Sequence, residues 1–111
     1  MAFESAYATT APSRAEVDAM TGTTLVEFGT DWCGWCRGAR AHIASALAAH
    51  PGVRHLKIED GSGRPLGRSF GVKLWPTLVV LRDGRPLATL VRPNGGGDIE
   101  RALAQAETTG T

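Results

Sequence analysis

Trp32-Cys33-Gly34-Trp35-Cys36 stands between two segments of different character. Before it, Thr24-Leu25-Val26-Glu27-Phe28 is a short apolar run of the kind found in a central strand covered on both faces. After it, Ala39 to Ala49 is alanine-rich. Ile43 and Leu47 share one helical face there, with Ala39, Ala46 and Ala48 packing closely. The motif therefore sits at a strand-to-helix junction. Cys33 meets the unpaired N–H groups at the start of the helix, and these favour an anion. Thiolate is the form that attacks disulfides. Cys36, one turn on, is near enough to close a small ring with Cys33. Attack by Cys33 followed by displacement by Cys36 is disulfide exchange through a mixed disulfide.

Composition narrows the alternatives. The 111 residues suit one domain, with a core over about 12–107 and a polar tail at 108–111. Hydrophobic content of 42% and a net charge of +1 describe an ordinary soluble chain, with no electrostatic case for nucleic acid or membrane. Both cysteines lie in the motif, so they serve reactivity or metal binding rather than stapling a secreted domain. Met1 to Ala6 has neither the basic nor the apolar region of a signal peptide, and the expected location is the cytoplasm.

Working outward, residues 3–8 read as a short edge strand. Ser13 caps a helix running to about Met20, with Ala15, Val17 and Ala19 toward the core. His50-Pro51-Gly52 stops the motif helix, and Val53 to Glu59 reads as a strand parallel to the first. A short helix spans about 64–70. Thr77 to Leu81 is the most β-prone stretch, and Asp83-Gly84 turns it into a return strand over 87–91, with Pro86 marking an edge. Pro93 to Gly97 is a loop, and Asp98 caps a last helix that buries Ile99, Leu103 and Ala106.

This order resembles the thioredoxin fold, and the residues agree in register. Val26-Glu27-Phe28, Trp32-Cys33-Gly34-x-Cys36, Trp75-Pro76-Thr77 and Asp83-Gly84 are similar to thioredoxin landmarks. The resemblance implies an α/β protein, with a central mixed β-sheet of four to five strands flanked by about four helices. It further implies that Cys33 is the exposed nucleophile and Cys36 the buried resolving thiol. Pro76 would be a cis proline that brings the Trp75 backbone beside the thiols, where a substrate strand can pair. Glu27 matches a buried acid able to take the proton from Cys36. Trp32, Gly34, Trp35, Trp75, Pro76, Thr77 and Arg92 would form the substrate-binding surface.

Several positions depart from the family pattern. Trp35 replaces a proline, and its N–H could point at the Cys33 sulfur. Gly29 stands where tryptophan is common, His55 where a lysine pairs with the acid, and Arg92 where a glycine borders the groove.

The expected function is a thiol–disulfide oxidoreductase acting on protein disulfides. A thioredoxin-reductase-like flavoprotein or glutathione would recycle it. The cysteine pair serves as the redox group, so no bound cofactor is needed, and a monomer is expected. The rival from another class is a non-catalytic binding or assembly module using the Trp32, Trp35 and Trp75 surface, for which neither cysteine is required. A zinc site would need added histidine ligands, and only His42, His50 and His55 are available, His42 on the motif helix itself and His50 at its end. An iron–sulfur cluster shared between two chains would draw on Cys33 and Cys36 of each.

Overall fold

β1 (Thr23–Gly29) carries the other elements in the computed structural model, which describes residues 3–108. All seven of its residues are buried. It pairs in parallel with β2 (Arg54–Glu59) and antiparallel with β3 (Thr77–Arg82), and β3 pairs antiparallel with β4 (Arg85–Val91). The strand order is β2-β1-β3-β4. A parallel pair needs a crossover, supplied here by α2 (Gly34–Ala48). With α1 (Arg14–Asp18), α3 (Pro65–Ser69) and α4 (Gly96–Thr108), this is the mixed sheet with four flanking helices that the thioredoxin-like pattern implies.

Period-two alternation divides the core between the two faces of the sheet. Leu25 joins Ile43, Leu47, Leu78, Ile99 and Leu103 in one cluster, under α2 and α4. Val26 and Phe28 join Val17, Leu66, Val79 and Leu81 in the other. Glu27 follows Leu25 by two positions, so it lies on the α2 side of the sheet, beneath the motif.

Several boundaries differ from the sequence reading, each for a physical reason. Ser13 does cap α1, through a full capping box with Glu16, but the helix ends at Asp18. Only Val17 of the expected face is buried there, because residues two apart on a helix point to opposite sides. Ala48 is exposed. β4 begins at Arg85 rather than Leu87. A register shift between Val80 and Leu81 sets Pro86 opposite Leu81, on a strand with no outer neighbour. Asp83 and Gly84 both have positive φ, 52° and 78°, as a tight hairpin turn requires. A side chain at Gly84 would also put Cβ 1.9 Å from the Asp18 carbonyl oxygen. α4 begins at Gly96, so Gly96 and Gly97 are helical rather than loop. Asp98 is accordingly inside the first turn, pairing with Arg101 instead of capping. Thr108 ends α4, and the rest of the expected tail lies outside the described residues.

The expected strand at 3–8 is not one. Its only pairing with the sheet is a parallel bridge between Ala8 and Ile58 on the outer side of β2. Upstream of the bridge, side chains of β2 take the backbone groups a ladder would use. Glu4 N–H donates to His55 Nδ1 at 2.7 Å, and the Ser5 carbonyl accepts Lys57 Nζ at 3.1 Å. The segment is a strap tied by side chains. It precedes residue 12, where the sequence reading starts the core, and passes beside the motif with Tyr7 buried against Cys33 and Cys36.

Candidate active site

Cys33 is the N-cap of α2, with extended backbone at φ −77° and ψ 123°, and its Sγ accepts the Cys36 N–H at 3.3 Å. The sequence pointed to the Trp35 N–H for this bond. Cys36 takes it because it occupies N3, where an N-cap side chain finds its donor. Both thiols are free. Cys33 is 8% exposed and Cys36 3%, so Cys33 is more covered than the resemblance implied, with Trp75 packed against the pair. Burial, and then the neighbouring Cys33, push the Cys36 thiol up to about 11, while the Thr30 backbone and the Tyr7 hydroxyl draw it partly back.

Beneath the thiols, Glu27 is 1% exposed and both carboxylate oxygens are engaged. Tyr7 Oη donates to Oε2 at 2.5 Å, and His55 Nε2 lies 2.9 Å from Oε1. The Glu4 N–H bonded to His55 Nδ1 makes that nitrogen the acceptor, so the proton of the neutral ring is on Nε2 and points at Glu27. Lys57 Nζ stands 4.5 Å from the Tyr7 ring centroid. Burial, and then the facing Glu27 charge, push the Tyr7 phenol far above its ordinary range. Neither Tyr7 nor Lys57 was singled out from the sequence. The available signal was Gly29: a Cβ there would lie 2.5 Å from Cys36 Sγ and 2.6 Å from Tyr7 Oη, so the missing side chain leaves room for the phenol.

Above the thiols the aromatic residues do gather. Trp32 and Trp35 are 73% and 60% exposed, and the Trp32 ring meets Trp75 edge-on at 5.7 Å. Trp75 is anchored by its Nε1–H, which donates to Asp60 Oδ2 at 2.8 Å. The Trp75–Pro76 peptide is cis. Arg92 spans this face: its Nε donates to the Trp75 carbonyl at 2.8 Å, its backbone N–H donates to the Pro76 carbonyl at 2.9 Å, and its guanidinium lies 4.7 Å from the Trp35 ring centroid. Beside it, Gly34, Trp35, His42, Arg92 and Asn94 line a groove of about 400 Å³. Thr77 is set apart from this surface, buried, with its hydroxyl donated to the Leu74 carbonyl at 2.6 Å.

A dithiol at a helix start, a covered second thiol over a buried acid, and an exposed aromatic rim together make a disulfide-exchange site. The Thioredoxin family model matches residues 5–105. The chain belongs to the thioredoxin family. It is therefore a thiol–disulfide oxidoreductase with the cysteine pair as redox group, and family membership favours this over the binding-module rival. Thioredoxin 2 from Pseudomonas aeruginosa PAO1, in its reduced form, superposes with a TM-score of 0.85 at 51% identity over 97% of this chain and 100% of that one. A thioredoxin from Chlamydia muridarum is 38% identical over 59% of this chain, and the match spans 64% of that relative's length. One from Aspergillus fumigatus is 27% identical over 75% of this chain and 77% of its own. Among the described residues no group of three or more His, Cys, Asp or Glu is arranged to hold a metal ion, and no helix is long and apolar enough to cross a membrane.

Proposed function

We propose that this thioredoxin-family protein reduces protein disulfides with Cys33 as the attacking thiol and Cys36 as the resolving thiol. The observation that carries the assignment is positional. Cys33 caps α2 and accepts an N–H there, whereas Cys36 is inside the first turn with its proton held by burial. A substrate disulfide would dock on Trp32, Trp35 and Trp75, with the backbone around Trp75 and Pro76 alongside and Arg92 and Gly34 at the rim. Thr77 would shape this loop from behind. Cys33 attacks, a mixed disulfide forms, Glu27 receives the proton that Cys36 must lose, and Cys36 displaces the substrate thiol. The chain works as a monomeric domain in the cytoplasm, recycled by a thioredoxin-reductase-like flavoprotein or by glutathione.

Insulin reduction with dithiothreitol as terminal reductant tests the reading, using wild type, Cys33→Ser and Cys36→Ser. Catalysed precipitation of the insulin B chain by wild type, abolished in both variants, is the expected result. Activity surviving in Cys33→Ser would overturn the assignment.

A further inference from the structure

The acid and the thiol that must exchange a proton are not hydrogen-bonded to one another. The side-chain hydrogen bonds of Glu27 go to Tyr7 and His55. The Tyr7 side chain borders both: its hydroxyl donates to Glu27 Oε2 at 2.5 Å, and its ring packs in one buried cluster with Cys36. The space above Gly29 brings Oη and the Cys36 sulfur together, since any side chain at 29 would collide with both.

We propose that Tyr7 is a catalytic proton relay, passing its own proton to Glu27 as it takes the proton of Cys36. This rests on the exchange reading above. In one step the Cys36 proton moves to Tyr7 Oη and the Tyr7 proton moves to Glu27 Oε2. The phenol is neutral before and after, and the carboxylate becomes a carboxylic acid. The Cys36 sulfur, now anionic, attacks Cys33 Sγ. The bond between Cys33 and the substrate breaks, and its electron pair leaves on the substrate thiolate. The products are a Cys33–Cys36 disulfide, oxidised by two electrons, a protonated Glu27, and two substrate thiolates, reduced by two electrons, which take their protons from solvent. The two transfers run together because a separate phenolate would be buried and would face the Glu27 charge, which together hold the Tyr7 proton strongly.

The titratable groups around the phenol are Glu27 from β1, which His55 of β2 also bonds, Lys57 from β2, and Cys33 and Cys36 from the start of α2. Lys57 lies against the ring face rather than in the proton path. Phenylalanine at position 7 keeps that ring and removes only the hydroxyl.

Tyr7→Phe separates the relay from a packing role when each half of the cycle is followed by stopped flow with a disulfide peptide. The attack rate at Cys33 should be unchanged, and release from the mixed disulfide should slow by about 100-fold or more, the range of positioned proton transfer. In wild type, release measured across H2O/D2O mixtures should give a bowed proton inventory, since two protons move; in Tyr7→Phe it should be linear. Unchanged release, equal slowing of both steps, or a linear wild-type inventory would each overturn the relay. Cys36→Ser protein that forms no adduct at Cys33 would instead overturn the exchange reading. The wild-type inventory distinguishes one moving proton from two even if the variant is unstable.

Discussion

His55 Nε2 lies 2.9 Å from Glu27 Oε1, and the Glu4 N–H on the other side of the ring sets which nitrogen is the donor. Glu27 thereby sits in the core with a donor on each oxygen, the imidazole on one and the Tyr7 phenol on the other. His55→Ala would strand Oε1 without a partner. Leaving a buried acceptor unpaired costs about 1–3 kcal/mol, so the urea midpoint should fall while the slope stays unchanged. At pH 8 the 15N shifts of the wild-type ring should report a proton on Nε2; one on Nδ1 would contradict the geometry.

Glu27→Gln removes the proposed proton acceptor while keeping the shape. An amide presents one acceptor and one donor group, yet His55 and Tyr7 both donate here, so one of the two bonds must reverse or break. Release from the mixed disulfide should slow by about 100-fold or more, in the general acid–base range, with little change in attack. Single-turnover kinetics from pH 6 to 9 would show this. Equal release rates across that range would reduce Glu27 to a structural role.

Much of this was legible because each signal was local. The motif at a strand–helix junction, the apolar β1 and the Asp83-Gly84 turn each carry their information within a few residues. Their spacing was enough for the thioredoxin pattern, with Glu27 beneath the thiols and Trp75-Pro76 beside them. What escaped depends on contacts distant in sequence. Tyr7 lies 20 residues from Glu27 in the chain, in a segment with no strand or helix period, and is held by side chains of β2. Arg92 and Trp35 face each other only because the β3–β4 hairpin returns the chain to the motif. The start of α4 escapes for a different reason. Glycine favours loops and aspartate favours caps, yet here the helix takes in Gly96 and Gly97 and places Asp98 in its first turn.

Reduced protein should lose stability in alkali through Cys36. Its folded-state thiol is raised from the ordinary 9.0 to about 11, so the protonated form is favoured by folding. That contribution is fully present below pH 9 and is lost as pH rises to about 11. Two pKa units correspond to at most about 2–3 kcal/mol. Denaturation of wild type and Cys36→Ser between pH 8 and 11 reads the effect of Cys36 together with the groups it touches, while groups away from it cancel in the difference. Parallel curves would contradict it.

Arg92 braces the proposed docking face by bonding the Trp75 carbonyl and lying over Trp35. An exposed cation–π contact contributes about 0.5–1 kcal/mol, and the hydrogen bond adds to it. Arg92→Ala should therefore raise KM for a protein disulfide by about three- to tenfold while kcat stays near wild type, because the thiols and Glu27 are untouched. A fall in kcat at constant KM would place Arg92 in the chemistry instead.

Trapping the mixed disulfide is the most direct measurement. Each of Cys33→Ser and Cys36→Ser is incubated with a disulfide peptide at pH 8, quenched in acid and mapped by mass spectrometry. The expected outcome is a stable adduct on Cys33 in the Cys36→Ser protein, and none on Cys36 in the Cys33→Ser protein, where the remaining thiol is buried and keeps its proton. An adduct on Cys36 with none on Cys33 would contradict the account.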